Sequence, residues 1–245
     1  MARRRFFVSE IVNDMAALDG DDARHLARVL RVEVGQRYEL SDGSRVALAE
    51  VAAVRKDHVQ FRVLEDLPAS PRVVHVTLLM ALIKFDHFEM VIEKATELGV
   101  AEIVPVITAR TEVGLEKAVP KRLERWQRIA LEASQQSRRD RLPVLFPAIS
   151  FRDAVRLDKR YRIWLDEEPD GAPLLTALPS ERHIEDSIAL LVGPEGGWTP
   201  AERETASTNW TRVSLGPQIL RAETAAMASL AIVMSAWLTR DNRGT

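Results

Sequence analysis

The chain has 245 residues, 46% of them hydrophobic, enough for a packed core in one large or two modest domains. It has no cysteine, which excludes disulfides, thiolate zinc sites and cysteine nucleophiles and fits a reducing compartment; its five histidines show no metal-ligand spacing, so no metal is expected. The formal net charge of -2 hides a segregated distribution: Arg110 to Arg141 holds nine Lys/Arg against five Asp/Glu, whereas Asp166 to Asp186 holds one against seven, as a one-faced polyanion footprint requires.

No apolar run reaches the roughly 18 residues that span a bilayer, and the start MARRRFFVSE carries no apolar signal-peptide core, so a cytoplasmic protein without a membrane segment is expected. Arg3, Arg4 and Arg5 stand directly before the strand-like run Phe6-Phe7-Val8, and on their own read as a solvated terminus. Asp21 to Leu30 starts acidic and sets Leu26, Val29 and Leu30 on one face, which predicts a short helix. Tyr38 to Leu40 and Val46 to Val51 flank Ser41-Asp42-Gly43-Ser44, a turn with the Asp-Gly hairpin signal, and His58 to Leu64 continues the alternation. The first part is therefore a small β-rich module. Glu65 to Arg72 has two prolines and no periodicity, which puts a domain boundary near Pro71.

From Val73 the pattern changes to alternating buried strands and helices. Val74 to Ile83 is nearly continuous apolar sequence, as in a strand covered on both faces. Lys84 to Leu98 puts Phe85, Phe88, Ile92 and Ala95 on one helical face, with Gly99 as C-cap. Ile103 to Ile107 reads as a strand, Pro120 to Ser137 as a helix with Leu123, Trp126, Ala130 and Ala133 inward, and Tyr161 to Leu165 as a third strand. Ile188 to Val192 and Val213 to Leu215 complete five strands, and Thr199-Pro200-Ala201-Glu202 is a capping box with proline at the first helical position. The alternation predicts an α/β fold with a parallel sheet. The last helix, about Ala222 to Trp237, is apolar almost all round, so it is buried either as a central core helix or against a second subunit.

Two of these strands run straight into glycine loops and then helices: Gly193-Pro194-Glu195-Gly196-Gly197, and Gly216 through Thr224. Glycine there lets backbone approach a ligand closely, and ligands of open parallel sheets gather at strand carboxyl ends. GxGxxG and GxxxxGK[ST] are both absent, which removes the dinucleotide and P-loop readings. Glycine also serves such turns for purely structural reasons.

The wording of the loops is more specific. LLVGPEGGWTPAERE followed by LGPQILRAETAAMASL resembles the paired signature of the SPOUT-class methyltransferases that methylate N3 of a uridine in small-subunit ribosomal RNA. Lys94 to Val100 (KATELGV), and Gln136-Ser137 with Arg139 and Pro143, agree with it, so the resemblance spans nearly the whole chain. It departs at Gln218, where the family usually carries arginine.

The resemblance implies a PUA-like RNA-binding β-barrel domain over residues 1–71 and a SPOUT domain with a deep trefoil knot over 72–245. It also implies a homodimer built on the knot, with 16S ribosomal RNA or the small ribosomal subunit as partner. The S-adenosylmethionine pocket would be formed by Leu165, Val192, Gly193, Pro194, Glu195, Gly196, Gly197, Leu215, Gly216, Ile219, Leu220, Thr224 and Ala225. Glu195 has a rival reading as a helix-dipole residue. RNA contacts are expected from Arg3, Arg4, Arg5, Lys84, Lys94, Gln136, Arg138 and Arg139.

Uracil N3 carries a hydrogen that must leave before or during attack. No histidine looks well placed to take it, so Glu223 is the expected proton acceptor and Arg221 the expected stabiliser of the uracil oxyanion. An acid at a helix start is favoured structurally as well, which keeps a capping role for Glu223 open. Two rival functions are a knotted methyltransferase acting on another base or position, and a non-catalytic RNA-binding module; the intact glycine loops argue against the second.

Overall fold

The computed structural model describes residues 4–71, 73–168 and 170–238. The chain forms two units: one is the chain up to Pro71 together with Leu131–Leu142, and the other is the remainder.

The first unit is a five-stranded sheet. Its strands are β1 (Arg5–Phe7), β2 (Met15–Asp19), β3 (Arg37–Ser41), β4 (Val46–Arg55) and β5 (His58–Asp66), in the order β1-β3-β4-β5-β2. Only the β1–β3 pair is parallel, and two register shifts in the long β4–β5 pair bend the sheet around a core of Phe6, Leu40, Val51, Val59 and Phe61. Asp42 holds the predicted hairpin turn by accepting hydrogen bonds from the backbone of Ser44 and Arg45 at 2.9 and 2.8 Å. Helix α1 (Gly20–His25) continues into a π-helical turn, Leu26–Leu30, which ends at Arg31 with φ +51°. That turn corrects the sequence expectation: the wider π geometry rotates Val29 out to 65% exposure while Leu26 stays buried.

The second unit carries the parallel sheet, and its strands take the order β11-β13-β10-β12-β6-β7-β8. These are β6 (His75–Ala81), β7 (Glu102–Ile107), β8 (Val144–Leu145), β10 (Tyr161–Leu165), β11 (Ala172–Pro173), β12 (Ser187–Val192) and β13 (Thr211–Ser214); β9 (Ile149–Ser150) pairs with β7. The two-residue strands β8, β9 and β11 are too short to leave a pattern in the sequence. The helices are α2 (Phe85–Glu97), α3 (Leu115–Gln136), α4 (Phe151–Ala154), α5 (Leu174–Ala177), α6 (Pro200–Ser207) and α7 (Ala222–Leu238).

Helix α3 begins five residues before the expected Pro120. A proline that close to a helix start deletes only one early backbone bond, so the helix runs through it. Phe88 and Trp126 pack at 4.7 Å between α2 and α3, and the capping box at Thr199 and Glu202 forms as expected. Gly99 ends α2 with φ +97°; a Cβ there would meet Met234 Cε at 2.7 Å, so glycine also lets α7 approach. Helix α7 packs on α2, α5, β6 and β12 within the chain, burying Ala226, Leu230, Val233 and Trp237, which is the core-helix reading of its apolar pattern. Trp237 donates to the buried Asp186 carboxylate at 3.0 Å and so pins its far end.

Candidate functional site

Strand β10 lies between β12 and β13, so a chain that leaves β12 must cross back past β10 to reach β13. Strand order reverses here, and crevices at the carboxyl ends of strands form at such reversals. The segments after β10, β12 and β13 surround a cavity of about 430 Å³, within the size range of small-molecule and cofactor sites. Of the sequence-expected pocket residues, Leu165, Val192, Gly193, Pro194, Glu195, Gly196, Gly197, Leu215, Gly216, Ile219, Leu220 and Ala225 line it; Thr224 does not, being exposed on α7. The lining also includes Asp166, Glu167, Trp198, Ser214, Gln218, Arg221 and Ala222. The acidic run directly after β10 was the sequence signal for Asp166 and Glu167.

Each glycine loop is shaped for a different reason. At Gly193 a Cβ would lie 2.8 Å from Trp198 Cε2, so the loop is glycine because it rests on the indole. Trp198 is buried and donates from Nε1 to Leu165 O at 2.8 Å, tying the first loop to the end of β10. A side chain at Gly197 would overlap the Glu167 carboxylate. Gly216 differs: its φ is +134° and the nearest heavy atom to a Cβ is Gln218 Oε1 at 4.0 Å, so its backbone faces open cavity space. Glu195 is exposed four residues before the α6 cap, and the acid in the first turn of α6 is Glu202, which puts Glu195 outside the turn that a helix-dipole residue occupies.

Two carboxylates of the lining, Asp166 and Glu167, are held in place by arginines. Asp166 is fully buried between Arg203 at 3.2 Å and Arg212 at 2.7 Å, and Arg203 also pairs with Glu167. Leu165, Val192, Leu215, Ile219 and Leu220 supply the apolar wall. A cavity so made suits an apolar ring carrying hydroxyls and positive charge better than a phosphate.

Helix α7 starts beside this cavity, and Arg221 is exposed at its mouth. Glu223, in the first turn, is 6% exposed and faces α2. Its Oε1 lies 2.9 Å from Nδ1 of His87, while Oε2 has no hydrogen-bond partner among the described residues. The sequence did not reveal this partner: His87 comes from the first turn of α2, 136 residues away in the chain. Burial pushes the Glu223 carboxyl up, but its own backbone N–H, the His87 hydrogen bond and the charges of His87 and Arg221 outweigh that and hold it below the ordinary value. The hydrogen bond to Glu223 raises His87 above the ordinary imidazole value against partial desolvation, helped by the charges of Glu223, Asp86 and Glu195.

The expected RNA contacts are dispersed. Lys84 is exposed at the cap of α2, and Lys94 is paired with Glu93 and Glu97 at 2.7 and 2.9 Å. Gln136 is exposed at the end of α3, and Arg139 donates to Arg141 O at 3.0 Å, with burial bringing its guanidinium down to about 10. Arg138 is bound to Glu39, Arg4 is half-buried, and Arg3 lies outside the described residues. Arg5 is a correction: it is 5% exposed, 3.0 Å from Glu39 and bonded to Asp140, because its side chain turns onto these two carboxylates rather than into solvent. It is a structural cation inside the first unit. Among the described residues no group of acidic, histidine or cysteine side chains is gathered to hold a metal, and no helix is long and apolar enough to cross a membrane.

Comparison with known proteins accounts for both units. A family model described as an RNA methyltransferase domain matches residues 70–234, and one described as an RNA methyltransferase PUA domain matches residues 18–64. The chain is 34% identical over 230 residues to ribosomal RNA small subunit methyltransferase E of Synechocystis sp., covering 91% of this chain and 73% of that protein. It is 31% identical over 231 residues to the protein of the same name from Bacillus subtilis, covering 89% and 88%. A solved structure of ribosomal RNA small subunit methyltransferase E from Neisseria gonorrhoeae, bound to S-adenosyl methionine, matches with a TM-score of 0.85 at 30% identity over 96% of this chain and 98% of that one.

Proposed function

The chain belongs to the ribosomal RNA small subunit methyltransferase E family of RNA methyltransferases, and from that premise we propose that it transfers a methyl group from S-adenosylmethionine to N3 of a uridine in 16S ribosomal RNA. The observation that carries the proposal is the cavity of about 430 Å³ walled by the two glycine loops that follow β12 and β13, the strands on either side of β10.

The lining fits the cofactor. Backbone around Gly216 is open to the cavity, the apolar wall suits adenine, and Glu167 and Glu195 offer negative charge and hydroxyl acceptors without a phosphate cradle. Bound there, S-adenosylmethionine supplies an electrophilic methyl carried on a sulfonium. The backbone of Val192 to Gly197 and Leu215 to Leu220 would hold its adenosine and methionine portions, leaving the protein to orient the acceptor nitrogen and remove its proton. Glu223 accepts that proton in this reading, and Arg221, exposed at the cavity mouth, stabilises the negative charge that develops on the uracil oxygens.

The reading assigns RNA binding to residues 1–71, as a PUA-like domain, and methyl transfer to residues 72–245. RNA contacts come from Arg3, Arg4, Lys84, Lys94, Gln136, Arg138 and Arg139. The working form is a cytoplasmic homodimer built on a trefoil knot that the two glycine loops form. The test is to map methylated bases in small-subunit ribosomal RNA from cells lacking the protein. One N3-methyluridine should vanish and return with the wild-type gene; an unchanged map would refute the proposal.

A further inference from the structure

Glu223 poses a problem that the proposed chemistry leaves open. A carboxylate 6% exposed that takes a proton must lose it before the next turnover, and its burial closes the direct way to water. The structure supplies an indirect way. Side-chain exposure rises along a line of three groups, from 7% at Glu223 to 23% at His87 and 78% at Asp86. Glu223 Oε1 is 2.9 Å from His87 Nδ1, and His87 Nε2 is 3.7 Å from Asp86 Oδ2. Nδ1 faces the buried acid, then, and Nε2 faces the exposed one.

We propose that Glu223 and His87 work as one proton acceptor, in which His87 relays to Asp86 and water the proton that Glu223 takes from the acceptor base. This rests on the reading of the reaction given above. The N3–H bond breaks with its electron pair left on nitrogen, and the proton bonds to the Glu223 carboxylate. It then crosses to Nδ1 of the neutral imidazole in its Nε2–H tautomer, which releases the Nε2 proton toward Asp86 and water; return of the remaining Nδ1 proton to Nε2 by way of solvent restores the acceptor for the next turnover. His87 touches neither substrate nor cofactor in this scheme; it is a positioning and relay residue acting through Glu223. Glu223, Asp86 and Glu195 surround the imidazole with negative charge, so His87 holds a proton more tightly than a lone imidazole, while the positive charge of Arg221 keeps Glu223 the ionised member of the pair. A bound proton blocks the acceptor, and the wild-type rate should rise with pH through an inflection above the ordinary imidazole value.

The experiment measures steady-state and single-turnover methyl transfer to small-subunit RNA across pH for the wild type, His87→Gln, His87→Lys and Glu223→Gln. Calorimetry with S-adenosylmethionine and thermal unfolding check that each variant is folded and loaded. His87→Gln can hold a hydrogen bond but not carry a proton, and His87→Lys can keep the ion pair but not relay. Both should lose roughly 10-fold to 10²-fold in steady-state rate and the inflection with it, with cofactor affinity intact. A wild-type profile in either variant, beside a slow Glu223→Gln, would overturn the relay and leave the methyltransferase reading standing. A wild-type profile in Glu223→Gln would overturn the relay and the proton-acceptor role together. Product mapping that finds the methyl on an atom without a hydrogen to lose would instead refute the reading of the reaction.

Discussion

Gly193→Ala tests whether the first glycine loop is shaped by the indole beneath it. The added methyl would sit 2.8 Å from Trp198 Cε2 and 2.9 Å from Nε1, closer than real Cβ contacts come, so the indole or the loop must move. Trp198 has little room: it is 1% exposed, packed on Phe151 at 5.4 Å and Trp164 at 6.3 Å, and bonded through Nε1 to Leu165 O at 2.8 Å. Overpacking of this kind costs about 1–3 kcal/mol, and losing a buried hydrogen bond adds about 1 kcal/mol, so the variant should be about 2–4 kcal/mol less stable. For a chain of this size that lowers Tm by roughly 5–15 °C. Gly196→Ala is the control. Its methyl would meet only the flexible Arg110 side chain, at 3.2 Å from Cδ, and should change stability by no more than about 0.5 kcal/mol. The assay is thermal unfolding followed by tryptophan fluorescence, with S-adenosylmethionine affinity measured below the transition. Equal melting temperatures for the two variants would refute the account of the loop.

Gly216→Val puts a branched side chain at φ +134° and into open cavity space, so calorimetry should show S-adenosylmethionine affinity lost in a protein that still folds; unchanged affinity would move the cofactor elsewhere. Arg5→Ala leaves the Glu39 carboxylate buried with one partner fewer and should destabilise the first unit by about 3–5 kcal/mol in urea unfolding, whereas a solvated arginine would cost nothing measurable. Glu223→Gln should slow methyl transfer by roughly 10²-fold or more, against at most about 1 kcal/mol of stability if the acid only favours the helix start; single-turnover rates decide between the two. The same pair sets a pH dependence of stability. Because folding raises His87, its contribution is fully present below the ordinary imidazole value and is lost as pH rises through the folded value; because folding lowers Glu223, its contribution is present above the ordinary carboxylate value and is lost as pH falls through the folded one. Urea midpoints of wild type minus His87→Gln should therefore shrink as pH rises above the imidazole range, and a difference that grows with pH would contradict the pairing.

What the sequence revealed follows from how local each signal is. The apolar runs, the Thr199 capping box, Gly99 and both glycine loops are read within a few residues of themselves, and the parallel sheet and most of the cavity wall follow from them. Long-range pairing left no such trace. His87 and Glu223 are 136 residues apart, and only the packing of α2 on α7 brings them together. Arg5 reads as a solvated cation because its partners, Glu39 and Asp140, lie 34 and 135 residues away. Val29 matched a helical face, but the π-helical turn changed the angle per residue, which no count of apolar spacing detects. Trp198 stood in plain sight within the first motif, yet its place under Gly193 depends on where β10 ends.

The most direct test is transfer of a labelled methyl group from S-adenosylmethionine to small-subunit RNA by the purified protein, beside Gly216→Val, with the RNA digested to nucleosides and the label mapped. The account predicts label in a single N3-methyluridine with wild type and almost none with the variant. Label on another nucleoside, or equal transfer by a folded Gly216→Val protein, would contradict it.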